Sequence, residues 1–259
     1  MKENEDRAEI TAIVNQKGGV GKSTTAVNLG AAFAREDRRV LLIDIDPQGN
    51  ATSGLGLDKA ELDESIYSLL LDEAEVSSVI HRLSEEDMHL IPANIDLAGA
   101  QIELVSHISR EKRLEQALEG ELGSFDYAMI DCPPSLGLLT LNALTAADNI
   151  IIPIQCEYYA LEGLGQLLDT IELVRNNLNP SLEIKGVLLT MYDARTNLSE
   201  QVSREVEDYF SRQIFDTVIP RNVRLSEAPS FGQSIFNYAP DSRGAKAYRE
   251  LAQEVLGNE

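Results

Sequence analysis

Apolar and amphipathic runs alternate along the chain, and this alternation predicts strands and helices in turn. The β-branched, apolar run at residues 10–14 predicts a buried parallel strand, and residues 24–34 carry apolar side chains at helical spacing. Further strands are predicted at residues 39–46, 89–92, 127–131, 150–154, 184–191 and 218–220. Further helices are predicted at residues 65–71, 111–118, 138–147, 161–177, 197–210 (N-capped by Ser199) and 244–256. This order predicts a doubly wound, mostly parallel α/β sheet with helices on both faces.

A glycine-rich loop joins the first predicted strand to the first helix. Its residues are Lys17, Gly18, Gly19, Val20, Gly21, Lys22, Ser23 and Thr24. They match the P-loop pattern G-x-x-x-x-G-K-[ST] except at its first glycine, where the chain has Gln16. Glycines let backbone N–H groups approach phosphate oxygens, and the helix N-terminus adds positive charge. Lys22 suits the β- and γ-phosphates and the Ser23 hydroxyl suits Mg²⁺, so the loop predicts a phosphate site rather than an incidental turn.

Three aspartates lie where predicted strands end, close to this loop in the expected fold. Ligands of such sheets bind at the carboxyl ends of the strands, so one crevice can hold the loop and all three carboxylates. Asp131 ends the strand at residues 127–131, as in a Walker B motif, and suits Mg²⁺ through water. The alternative for Asp131 is a cap on the next helix.

The other two aspartates, Asp44 and Asp46, lie two positions apart and point the same way on a regular strand. Two carboxylates beside a phosphate site repel the ligand unless a cation lies between them. This suggests that one lies near Mg²⁺ and the other positions the attacking water. The residues from Asp46 to Gly49 also have good turn chemistry, and both interpretations can hold together.

Composition limits the class of protein. The chain has 259 residues, of which 43% are hydrophobic, with no Trp, and this fits one large α/β domain with an aliphatic core. We expect a charged tail at residues 1–8 and a single domain at residues 9–259. The charged N-terminus and the lack of a membrane-length apolar run predict a cytoplasmic protein. Cys132 and Cys156 are too few and too widely spaced for a disulfide framework or a CxxC metal site.

Taken together, the motifs resemble those of the ParA/MinD family of P-loop ATPases. Residues 17–24 are similar to its deviant Walker A motif, residues 42–50 to the motif that follows, and residues 130–135 to its Walker B motif. Residues 153–163 and 219–230 resemble its chromosomal ParA branch, often called Soj. The likeness runs from about residue 10 to residue 256.

The resemblance implies a slow ATPase that uses ATP and Mg²⁺ and works as an ATP-sandwich homodimer. Lys17 would reach across the dimer to the partner's phosphates, a role that suits its long, mobile point charge. Asp46 would orient the hydrolytic water, Asp44 would lie near Mg²⁺, and Pro220 and Asn222 would approach the adenine. The family also binds double-stranded DNA non-specifically, and a DNA-bound ParB-type partner stimulates hydrolysis. A nucleoid-associated protein that drives chromosome or plasmid partitioning is therefore expected.

The net charge of −21 argues against diffuse nucleic-acid binding, but the charge is unevenly distributed. Residues 212–249 contain six basic and three acidic residues. Within this region Arg243, Lys246 and Arg249 recur every three residues, roughly on one helix face, and this spacing by itself also fits a solvated helix face. Arg195 and Arg224 match positions at which the family contacts DNA, so they are the first candidates for DNA binding and Arg243 and Lys246 the second.

Three rival functions stay open at this point. A MinD-like ATPase that cycles on membranes would need a C-terminal amphipathic membrane helix, whereas the last turns here are acidic, so we expect no membrane partner. An iron–sulfur relative, such as the nitrogenase iron protein, would need exposed and converging thiolates from Cys132 and Cys156. An ATP-dependent interaction protein that scarcely turns over is disfavoured by Asp46.

Overall fold

One twisted sheet forms the centre of the computed structural model, which describes residues 7–158, 160–210 and 213–257. Its strands are β1 (Glu9–Ile13), β2 (Val40–Asp44), β3 (His81–Leu83), β4 (Met88–Ile91), β5 (Tyr127–Asp131), β6 (Asn149–Gln155) and β7 (Glu183–Thr190). Their spatial order is β3-β4-β2-β5-β1-β6-β7, and all neighbours are parallel except β3 and β4. The predicted doubly wound, mostly parallel fold is confirmed.

Helices cover both faces of this sheet. They are α1 (Lys22–Ala34), α2 (Asn50–Gly54), α3 (Ile66–Leu70), α4 (Val76–Val79), α5 (Leu97–Glu103), α6 (Arg113–Leu118), α7 (Leu138–Ala146), α8 (Leu164–Asn177), α9 (Asn197–Phe210), α10 (Val223–Glu227), α11 (Ile235–Tyr238) and α12 (Arg243–Gly257). Successive residues of β2 alternate between the two resulting cores: Leu41 and Ile43 face the side of α7, α8 and α9, whereas Val40 and Leu42 face that of α1 and α12.

Two local predictions from the sequence are wrong. The strand predicted at residues 218–220 is reduced to a single bridge between Tyr192 and Pro220. Its partner strand β7 ends at Thr190, and Met191 takes a left-handed conformation (φ 52°) before Tyr192. The predicted N-cap Ser199 lies inside α9. The hydroxyl of Thr196 instead accepts a hydrogen bond from the Ser199 N–H (3.3 Å), which is the cap geometry at the start of α9.

The N-terminal edge of the domain is tied to the sheet. Ala8, which the sequence placed in the tail, is buried in the core, and Arg7 forms an ion pair with Asp148. Residues 1–6 of the predicted tail lie outside the described residues.

Helices α1 and α12 pack together and so fix the C-terminal part of the chain against the glycine loop. The hydroxyls of Thr25 and Tyr248 are 3.1 Å apart in the buried contact between the two helices. Leu225 of α10 lies against Gly244 of α12, where an added Cβ would come within 2.7 Å of it. The segment around α10 is therefore held at the same end of the molecule as the start of α12.

A close contact holds the segment after α9 against β7. The pairing of β6 with β7 contains a bulge at Lys185. Ile150 pairs with Ile184, and the next residue, Ile151, pairs with Gly186. A Cβ at Gly186 would lie 2.5 Å from ring carbons of Phe215, which is buried.

We expect Gly186→Ala to destabilise the protein by about 1–3 kcal/mol, because the new methyl group overpacks the Phe215 ring. Urea unfolding measures the change. Gly165→Ala is the matched control, since a Cβ there meets no described atom within 4 Å. Equal stability of the two variants would contradict this account of the contact.

Candidate nucleotide site

The glycine loop has the backbone geometry that its sequence predicts. It connects β1 to α1, and Gly19 (φ 76°) and Gly21 (φ 92°) adopt left-handed conformations that other residues rarely take. Gly21 is also the N-cap of α1 and provides no side-chain cap, so backbone N–H groups of the first turn are available to a ligand. The loop can therefore cradle phosphate oxygens with its backbone.

The two lysines of the loop lie in different environments. Lys22 is buried, and its Nζ donates a hydrogen bond to the Lys17 carbonyl (2.9 Å). Burial lowers the pKa of Lys22, while the nearby carboxylates of Asp131 and Asp46 oppose this effect. Lys17 is more exposed, and its ammonium forms an ion pair with Glu157 after the end of β6.

Asp131 is a buried carboxylate whose hydrogen-bonding capacity the described residues leave unfilled. It is fully buried at the end of β5, and among the described residues neither oxygen has a hydrogen bond of normal geometry. Burial raises its pKa well above the usual range, and the charge of Asp44 adds to this. The Ser23 hydroxyl and the Lys22 ammonium lie close enough to oppose the rise. A buried, unpaired carboxylate is costly, so this arrangement fits a bound cation such as Mg²⁺ beside Ser23 and Asp131.

Asp44, in contrast, is fully satisfied by the protein. One oxygen accepts the Asp46 N–H (3.1 Å), and the other accepts the N–H (2.9 Å) and the hydroxyl (2.7 Å) of Thr52. Burial raises the pKa of Asp44 to about 6, although these three hydrogen bonds lower it. Asp44 therefore lies behind Asp46, away from the cavity wall.

A cavity of about 600 Å³ opens in front of the loop. Its wall contains seven of the residues proposed from the sequence: Gly18, Gly19, Gly21, Lys22, Ser23, Thr24 and Asp46. The Oδ1 atom of Asp46 accepts the Gln48 N–H (2.9 Å). The turn predicted from Asp46 to Gly49 therefore forms part of the cavity wall. Val20 is part of the buried core instead.

The far wall of the cavity was not predicted. It is formed by Asn28, Asn50, Ser53, Gly54, Met191, Ala228, Pro229, Ser230 and Gln233, among others. The predicted adenine residues Pro220 and Asn222 do not line it, and the Asn222 side chain instead accepts the Arg224 N–H (2.9 Å) as the N-cap of α10. Residues 228–230 belong to the sequence motif at residues 219–230, so this part of the wall could have been predicted from that motif.

The four candidate DNA-binding residues are exposed and come from neighbouring elements. Arg195 pairs with Asp193 (2.7 Å) and Arg224 with Glu227 (2.8 Å). The Arg195 side chain is the main reason that the pKa of Asp193 is low. Because α10 packs on the start of α12, Arg224 lies at the same end of the molecule as Arg243 and Lys246, which are both exposed.

Both cysteines are buried and unpaired, and burial raises the pKa of each thiol. Across residues 7–158, 160–210 and 213–257, no cluster of three or more His, Cys, Asp or Glu residues has the arrangement of a metal site. Within the same ranges, no helix combines the length and the apolar character needed to cross a bilayer.

Comparison with known proteins places this site in a family. A family described as an AAA domain matches residues 8–184. The sporulation initiation inhibitor protein Soj of Bacillus subtilis is 61% identical over 250 residues, which cover 96% of this chain and 99% of that protein. The chromosome partitioning protein ParA of Myxococcus xanthus is 52% identical over 95% of this chain and 87% of its own length.

Two solved structures show the same fold over almost the whole chain. One, called cobyrinic acid a,c-diamide synthase from Mycobacterium smegmatis with bound ADP and magnesium, is 44% identical, with a TM-score of 0.86 and coverage of 96% of this chain and 94% of that one. The other is the septum site-determining protein MinD of Pyrococcus horikoshii with Mg-ADP, which is 26% identical, with a TM-score of 0.77 and coverage of 96% of each chain. The chain therefore belongs to the ParA/Soj family of chromosome-partitioning ATPases.

Proposed function

We propose that this protein is a Mg²⁺-dependent ATPase that forms an ATP-sandwich dimer, binds DNA non-specifically and partitions DNA together with a ParB-type partner. The observation that carries the enzymatic part is the cavity that brings the glycine loop, Lys22 and Asp46 together. A phosphate cradle, a cation to neutralise charge and a carboxylate to orient water are the parts that phosphoryl transfer to water requires.

ATP and Mg²⁺ are the cofactors. The ADP and magnesium bound to the Mycobacterium smegmatis structure support both, at 44% identity to this chain. The unsatisfied carboxylate of Asp131 and the Ser23 hydroxyl are the groups here that would hold Mg²⁺, which neutralises phosphate charge. The three protein donors to Asp44 favour a structural task for Asp44 over direct contact with the metal.

Hydrolysis is assigned to Lys22 and Asp46. The Lys22 ammonium lies in the cavity wall and would exchange its hydrogen bond to the Lys17 carbonyl for the phosphates. Asp46 is on the same wall and mostly buried, where a carboxylate can accept a hydrogen bond from a water molecule and hold it for attack. Slow intrinsic turnover follows if a partner must complete the site.

The position of Lys17 supports a dimer. Its side chain does not line the cavity of its own chain but a neighbouring hollow formed with Gln16, Glu162, Gly163, Gly165 and Gln166. Its pairing with Glu157 keeps the ammonium on that outer side of the loop. A second protomer that faces this hollow would receive Lys17 at its phosphates, as the family resemblance implies.

Arg224, Arg243 and Lys246, exposed at one end of the molecule, and the exposed Arg195 support DNA binding, which would make the protein nucleoid-associated. Phosphate contacts are independent of sequence and sensitive to salt. The rival membrane function is disfavoured, because Leu251, Ala252 and Val255 on the apolar face of α12 are buried in the core shared with α1.

We expect Lys22→Ala to weaken ATP binding by about 10- to 100-fold, because a charge-assisted hydrogen bond contributes about 1.5–3 kcal/mol. Titration with a fluorescent ATP analogue measures this. Lys112→Ala is the control, since Lys112 pairs with Glu115 away from the cavity. Wild-type affinity in Lys22→Ala would contradict the assigned role.

We expect Asp46→Ala to lower kcat for ATP hydrolysis by about 10²-fold or more while ATP binding and ATP-dependent DNA binding persist, because only water positioning is lost. Phosphate release, nucleotide titration and DNA binding are measured on one preparation. Asp208→Ala, an exposed carboxylate on α9, is the control. Parallel loss of hydrolysis and binding would remove the role from Asp46.

Neutralising Arg195 and Arg224 together should weaken DNA binding in the ATP state and flatten its salt dependence. The slope of log K against log salt should become shallower by about 0.9 for each DNA phosphate that the variant no longer neutralises. Binding to unrelated duplexes across a salt series tests this. Arg82→Ala is the control, because Arg82 is exposed on β3 at the opposite edge of the sheet from β7. An unchanged slope in the double variant would place the DNA interface elsewhere.

A further inference from the structure

The hydroxyl of Thr52 lies at the centre of a buried hydrogen-bond network behind Asp46. Thr52, Asp44 and Ala93 are all fully buried. The Thr52 hydroxyl donates to Asp44 (2.7 Å) and accepts the Ala93 N–H (2.9 Å). Thr52, Asp44 and Ala93 are not among the residues that line the cavity, so the network lies behind the cavity wall.

Asp46 is held by this network on one side and by its own turn on the other. It lies beyond the end of β2, and its carbonyl and Oδ1 accept the N–H groups of Gly49 (2.8 Å) and Gln48 (2.9 Å). Its N–H donates to Asp44, whose other oxygen is held by the N–H and the hydroxyl of Thr52. The carboxylate of Asp44 therefore clamps the turn that carries Asp46 to the start of α2.

The network also ties this turn to the neighbouring strand. Ala93 follows β4, which pairs with β2 through Ile43 and Ile91. By accepting the Ala93 N–H, the Thr52 hydroxyl satisfies a buried backbone donor that would otherwise be unpaired. The ends of β2 and β4 and the start of α2 thus meet on one oxygen atom.

We propose that Thr52 is a positioning residue for ATP hydrolysis, acting through Asp44 to hold Asp46 in the orientation that aims the attacking water. The proposal rests on the function assigned to Asp46 above. Misplacement of a reacting group by about 1 Å can cost 10²-fold in rate, so a clamp of this kind affects kcat far more than ATP binding. A Thr52 that only stabilised the fold would not produce that separation.

The test compares Thr52→Val, which removes the hydroxyl at nearly constant volume, with Thr52→Ser, which keeps it. We expect kcat to fall about tenfold or more in Thr52→Val while KM for ATP stays within about twofold, and to recover in Thr52→Ser to within about threefold of wild type. The control is Thr145→Val, because Thr145 is also buried but its hydroxyl donates to the Leu141 carbonyl (2.7 Å) within α7, far from Asp44 in the chain. Thermal melting confirms that each variant is folded at the assay temperature.

A second variant decides the matter if Thr52→Val does not fold. Asp44→Asn replaces one acceptor of the clamp by a donor and should lower kcat with KM for ATP and the Mg²⁺ requirement unchanged. A raised Mg²⁺ requirement would instead assign Asp44 to the metal and overturn the proposal, as would wild-type kcat in Thr52→Val or equal losses in Thr52→Val and Thr52→Ser. If Asp46→Ala still hydrolyses ATP, the role assigned to Asp46 is wrong. If Asp46→Ala is inactive but Thr52→Val hydrolyses ATP at the wild-type rate, only the positioning role of Thr52 is wrong.

Discussion

Two buried carboxylates on adjacent strands are the constraint on which this site depends. Asp44 and Asp131 face each other in the register of β2 and β5, and both are fully buried. Burial of a charge is costly unless it is paired or hydrogen-bonded. Three donors of the chain satisfy Asp44, whereas neither oxygen of Asp131 has a hydrogen bond of normal geometry among the described residues. Of this pair, Asp131 is therefore the carboxylate that suits an external cation.

The difference between Asp44 and Asp131 also bears on the glycine loop. Because β1 lies beside β5, with Ile13 opposite Asp131, the loop that leaves β1 begins next to the unsatisfied carboxylate. The helix dipole, the Lys22 ammonium and the backbone donors of the loop then supply positive potential around an anionic centre. Phosphate groups would pair with the positive groups of the loop, and a divalent cation would pair with the Asp131 carboxylate.

The sequence predicted the strand–loop–helix unit and Asp131 correctly in position, because both depend on short segments with strong local patterns. The pattern of residues alone did not separate Asp44 from Asp46, since on a regular strand that continues through both positions the two side chains point the same way. The strand ends at Asp44, so the two side chains diverge: one turns into the protein and the other lines the cavity. The wall at residues 228–230 was missed because its contact with the loop is made by chain about 200 residues away, which periodicity does not reveal.

The charge of the chain explains why the proposed DNA interface would depend on dimerisation. Arg195 and Arg224 each face a carboxylate of their own chain, so DNA phosphate must replace an existing partner at both positions. Because exposed ion pairs contribute little to stability, breaking them costs little free energy, and the new ion pairs with DNA phosphate contribute little binding free energy as well. With an overall charge of −21, one protomer alone would be expected to bind DNA weakly. In the proposed dimer, two protomers joined through ATP would double the patch, and binding of the second patch would be an intramolecular step at high effective concentration.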